Sequence, residues 1–131
     1  MPRTLINPPE LHPAPGFSHV AIAAGDKLVC FAGQVALDAE FRIIGAADLF
    51  EQTKAAMRNL LVAMEAADVT WDDIVRRTVY TTAPTEYAVI SAAIDEVTGG
   101  SASPSQTIIG VTGLAVDGLV EIECTAVLGL P

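Results

Sequence analysis

The sequence predicts an α+β sandwich of two layers, a mixed and mostly antiparallel sheet with two helices on one face. Apolar residues recur at helical spacing in two separate stretches, strand-like runs stand before, between and after them, and the closing run alternates between two faces. Two helices cover only one face of such a sheet. The other face, carrying Thr, Val and a few charges, would be half exposed in a single copy, so an oligomer that buries it is expected.

Five of the eight prolines (Pro2, Pro8, Pro9, Pro13 and Pro15) fall in the first fifteen residues. Each removes a backbone donor, so residues 1–15 are expected as an extended arm and not as a regular element. Residues 19–23 and 27–34 are strand-like, and Gly25-Asp26 between them predicts a hairpin. A short third strand is expected at 42–44. Between Asp48 and Ala67, Phe50, Thr53, Met57, Leu60, Leu61 and Met64 recur at steps of three and four. Glu51, Lys54, Arg58 and Glu65 fall mostly on the other side, which predicts an amphipathic helix with a Glu51–Lys54 pair. Thr70 and Asp73 have the spacing of a capping box. Residues 74–82 alternate and are rich in Val, Thr and Tyr, as strands are. Pro84 opens a second helix with Tyr87, Ile90, Ile94 and Val97 in a 3-4-3 pattern, and Gly99-Gly100 stop it. Strands at 106–111 and 119–128 follow; in the last, Val120, Ile122, Cys124, Ala126 and Leu128 share one face and Glu121, Glu123 and Thr125 the other.

A chain of 131 residues suits one domain, here 1–131, and 51% hydrophobic residues exclude disorder. No apolar run approaches the roughly 18–20 residues of a membrane helix. Met1-Pro2-Arg3-Thr4 leads into Pro8-Pro9 and not into an apolar leader, so a cytoplasmic protein without membrane contact is expected. The 16 acidic residues outnumber the 7 basic ones, and a net charge of −9 opposes binding to nucleic-acid phosphates. Cys30 and Cys124 lie in apolar stretches without a C-x-x-C or a Cys/His cluster of metal spacing. Buried reduced thiols are expected, with no metal and no cofactor.

Gly16-Phe17-Ser18-His19 resembles a G-(P)-Y-S-Q/H segment, and Phe31-Ala32-Gly33-Gln34 resembles F-x-S-G-Q. Glu51-Gln52-Thr53 with Asn59-Leu60 resembles a Q-T…N-L helix, residues 75–82 resemble V-x-K-T-T-V-Y-x-T, and residues 119–123 resemble a closing (V/I)-E-I-E strand. In this order, from about Gly16 on, the chain is similar to the RidA/YjgF family of reactive-intermediate deaminases. The resemblance implies a homotrimer with three small-molecule clefts between subunits. It also implies hydrolysis of enamines and imines, such as 2-aminoacrylate, to keto acids and ammonia. In the family pattern an arginine in P-A-R-S clamps the substrate carboxylate, and a glutamate on the last strand positions or activates water.

Departures from that pattern bear on the site. The P-A-R-S segment reads Pro104-Ser105-Gln106-Thr107, so Gln106 stands where the arginine belongs. Phe17 stands for a tyrosine, Ile108 for a cysteine and Ser91 for an asparagine. Arg42, Arg3 or a neighbouring subunit are the candidates for a replacing cation. Glu121 is the expected catalytic residue; Glu123, two residues on, shares its face about 7 Å away, which leaves room for a water. Phe17, Ser18, Gly33, Gln106 and Thr107 are the expected substrate-binding residues. Each has a plainer reading: Phe17 as core, Gly33 as a bulge, Gln106 as a polar loop-to-strand residue, and the two glutamates as solvated or interface charge. His19 is read as a titrating group or as hydrogen-bonded structure. The expected activity is an enamine or imine deaminase of altered range, acting on a metabolite without the usual α-carboxylate. The alternative is a non-catalytic, ligand-binding or regulatory trimer.

Overall fold

A computed structural model describes residues 3–129. Its main sheet has four strands: β3 (Lys27–Gln34), β4 (Ile74–Thr81), β5 (Ser105–Gly110) and β6 (Val120–Leu128), in the order β3-β6-β4-β5. Strand β6 runs antiparallel to both its neighbours, whereas β4 and β5 are parallel. That parallel pair needs a crossover, and helix α2 (Tyr87–Thr98) supplies it. Helix α1 (Leu49–Ala66) lies beside α2 on the same sheet face. The two-layer α+β sandwich expected from periodicity is the fold observed.

Local chemistry sets the helix limits. Asp48 is the N-cap of α1, its carboxylate accepting from the Glu51 amide at 3.0 Å. Lys54 Nζ lies 3.0 Å from Glu51 Oε2, as the spacing predicts. The expected capping box is formed, with the Thr70 amide donating to Asp73 Oδ2 at 2.9 Å before the turn Trp71–Asp73. Pro84–Glu86 makes a short turn into α2, and Gly99 caps its end. Met57, Leu60 and Met64 of α1 and Ile90 and Ile94 of α2 are buried against Val79 and Ile122 of the sheet. In β6 the strict alternation is observed: residues 120, 122, 124 and 126 are buried, and 121, 123 and 125 are not.

Four expectations are corrected. The proline-rich arm is not wholly irregular. Residues Thr4–Ile6 form a strand, β1, which pairs antiparallel with β2 (Val20–Ile22), Leu5 opposite Ala21. Pro2 lies outside the described residues; the next proline is Pro8, so Thr4–Ile6 keep the donors that a ladder needs. Consequently β2 and β3 are not a hairpin. Their link passes over the end of β6, where the Asp26 amide donates to Leu128 O at 3.1 Å. Residues 42–44 make one bridge, Leu37 to Ile43, in a loop closed by Asp38, whose Oδ1 accepts from the Glu40 and Arg42 amides at 2.9 Å each. Finally, Cys30 is exposed on the uncovered sheet face, while Cys124 is buried under the helices.

Candidate functional site

Three segments converge at the β5 edge of the sheet. Arg3, at the start of the arm, donates to the carbonyls of Ile74 and Ala102. Ser18 is buried; its amide donates to Pro104 O at 2.9 Å and its hydroxyl to Ser103 O at 2.7 Å. Gly16 has φ +74°, and a β-carbon there would stand 2.8 Å from Ser91 Oγ, so only glycine lets the arm close on α2. These contacts hold the arm against α2 and β5 around a cavity of about 570 Å³. The arm contributes His12 and Phe17, the start of α2 Tyr87 and Ser91, and β5 Gln106 and Ile108. Thus four positions singled out above, Phe17, Ser91, Gln106 and Ile108, line one cavity.

The register places Gln106 beside Arg77 of β4, both facing the helices. Arg77 is 3% exposed, does not line the cavity, and donates from Nε to Gln106 Oε1 and from Nη2 to Gly16 O at 3.3 Å. Burial pulls its pKa down to about 10, with Cys124 and Asp95 opposing the shift and Arg3 adding to it. A guanidinium can only donate, so this bond fixes the amide: Oε1 faces Arg77, and the Nε2 donors are left for the cavity.

Glu121 lies elsewhere. It pairs with Tyr80 on the face of the sheet that no helix covers. The bulge in β3 between Phe31 and Gln34 brings Gly33 against its carboxylate, and a β-carbon at 33 would collide with Glu121 Oε2. Glu123, on the same face, accepts from the Tyr80 hydroxyl at 3.2 Å. Thr107 is also on that face and accepts from Arg76 Nη2 at 2.8 Å. The expected site residues therefore fall into two groups within one chain: Phe17 and Gln106 at the cavity, with Ser18 behind the wall, and Gly33, Glu121 and Thr107 on the opposite face.

Neither cation suggested by sequence lines the cavity. Arg3 is held by backbone carbonyls and by Asp72 at 3.7 Å, and Arg42 pairs with Asp38 at 3.2 Å. The cation next to Gln106 is Arg77, which no motif in the sequence singles out. Its burial depends on which face of β4 meets the helices, and its partner depends on a parallel register; neither is visible as a local signal. His19 is half-buried, its Nε2 2.8 Å from His12 O and its ring edge-on to Phe17, with centroids 5.3 Å apart. Among the described residues no group of three or more His, Cys, Asp or Glu is arranged to hold a metal ion. No helix among them is long and apolar enough to cross a membrane.

The family model described as Endoribonuclease L-PSP matches residues 8–128. A RutC family protein of Synechocystis is 34% identical over 118 residues, covering 88% of this chain and 90% of that one. One of Pyrococcus horikoshii is 32% identical over 106 residues, covering 81% and 82%. Among solved structures, a protein of unknown function of the conserved Rid family, from Yersinia pestis, superimposes with a TM-score of 0.90 at 35% identity, covering 98% of this chain and all of that one. The YjgF gene product of E. coli shares the fold at a TM-score of 0.69 and 23% identity, over 92% of each chain. A family match over almost the whole chain, on the two-layer fold just described, makes this protein a member of the RidA/YjgF family.

Proposed function

We propose that the protein is a homotrimeric hydrolase of small enamines or imines, with its clefts at subunit boundaries and a substrate range altered by Gln106. The observation that carries this reading is the single cavity gathering Phe17, Ser91, Gln106 and Ile108, the positions at which the family pattern places its pocket. The Gln106 amide orients the substrate and Phe17 gives an apolar wall. Glu121, across the sheet from the cavity of its own chain, serves the cavity of a neighbouring copy, so one chain alone is incomplete. There its carboxylate takes a proton from water as the oxygen attacks the C=N carbon. That proton passes to the nitrogen, the carbinolamine hydroxyl gives up its own proton to it as the C–N bond breaks, and ketone and ammonia leave; an enamine first takes a proton on carbon to become the imine.

Ammonia release from 2-aminoacrylate, generated in situ by a dehydratase, and from a panel of larger enamines tests the reading. Turnover of at least one is expected, with Glu121→Gln lowering it about 100-fold, the lower end of typical acid–base contributions. Unchanged hydrolysis of every enamine in Glu121→Gln removes Glu121 from the mechanism. The separation of Glu121 from the cavity within one chain favours a second reading, a ligand-binding trimer without catalysis. Saturable binding with no turnover of any imine supports that one.

A further inference from the structure

The buried guanidinium of Arg77 has no carboxylate in contact: among the described residues its acceptors are an amide oxygen and a backbone carbonyl. Burying a charge without a counter-charge is unfavourable, yet no Asp or Glu lines the adjoining cavity. Its lowered pKa still leaves the group charged at neutral pH. Two of its five N–H donors have acceptors, and one of these, to Gln106, governs what the cavity presents.

We infer that Arg77 is the specificity-determining cation of the cavity, acting from behind Gln106. It locks the amide with Nε2 outward and adds a positive field, so that the cavity prefers an apolar-bodied ligand ending in an anionic hydrogen-bond acceptor over its neutral isostere. The charge reaches the ligand at one remove, through an amide it orients. Arg77 is accordingly a positioning residue, and Gln106 is the group that touches the ligand. The inference deepens the proposed function by naming the end of the ligand that the site reads. It replaces the expectation of a ligand without a carboxylate.

Calorimetric titration with 3-methyl-2-oxobutanoate and 3-methyl-2-oxobutanamide, alike in shape and different in charge, gives the test. The wild-type protein is expected to bind the acid about tenfold more tightly than the amide, a preference that shrinks with added salt. Gln106→Glu places a carboxylate on Arg77, and is expected to abolish the preference while raising the melting temperature. Arg77→Met is expected to lose the preference if it folds; Gln106→Glu decides the matter if it does not. Equal binding of the two probes by the wild type overturns the inference, as does a preference untouched in Gln106→Glu, or no binding of either probe at millimolar concentration. Enamine turnover without acid preference would sink this inference and leave the proposed hydrolase standing, and acid preference without turnover would do the reverse.

Discussion

A methyl group at position 33 would strike the Glu121 carboxylate. Gly33→Ala should therefore displace that carboxylate or strain the β3 bulge, lowering stability by about 1–3 kcal/mol as overpacking does; a denaturant midpoint equal to wild type would show that the bulge gives way freely. The two cysteines differ as sharply. Burial pushes the Cys124 thiol up from 9.0 to about 12. A raised native pKa is a stabilising contribution, complete below pH 9 and lost as pH climbs towards 12, because the unfolded thiol ionises first. Arg77 has the opposite sign: its native value is depressed, so its contribution is present above its unfolded value and lost as pH falls through about 10. Of these two groups, the thiol is the one that dominates between pH 9 and 10. Over that interval wild type should lose more stability than Cys124→Ala in parallel denaturant melts, and equal losses would refute the burial argument. Glu121 and Gln106 were legible in the sequence as residue types at family positions. Arg77 was not, because its meaning lies in a neighbour 29 positions away.

Helices α1 and α2 and strands β4 and β6 could be read from the sequence because each carries its own period and its own stop signals. Asp48, the Thr70–Asp73 box and Gly99 act within a few residues, where sequence is informative. Asp48→Ala should cost about 1 kcal/mol, the usual loss for a cap whose side chain accepts an orphan amide, measurable by chemical denaturation. An unchanged midpoint would mean that water replaces the carboxylate without loss. The failures belong to pairing. Gly25-Asp26 looks like a hairpin turn, but β2 takes its partner from the arm and β3 takes its partner from the far end of the chain. The proline density that argued against structure in the arm is concentrated after β1, around the cavity wall, leaving Thr4–Ile6 free to pair.

At the scale of the whole molecule, the uncovered sheet face carries Leu28, 71% exposed, together with Cys30 and Ala32, and Phe41 and Val62 are exposed at 70% and 67%. Apolar surface of this kind, in a chain of net charge −9, fits burial between copies with the charge left outward. Sedimentation equilibrium should give three times the chain mass for wild type and a lower mass for Leu28→Asp; a monomeric wild type would contradict the proposed trimer and strand Glu121 away from any cavity. The fold shows how each chain is made, but the face proposed to join copies has no sequence signature beyond its residual hydrophobicity. The arm carries one more consequence. It holds His12 and Phe17 of the cavity wall, yet it is tied down by a ladder of three residue pairs and by Arg3, whose carbonyl partners lie 71 and 99 positions along the chain. Such a segment opens at less free energy than the central strands. Amides of β1 should exchange with deuterium well before those of β4 and β6, and a bound ligand should slow them selectively. The cavity then has a lifetime of its own: the wall can come and go many times while the sheet beneath it stays folded.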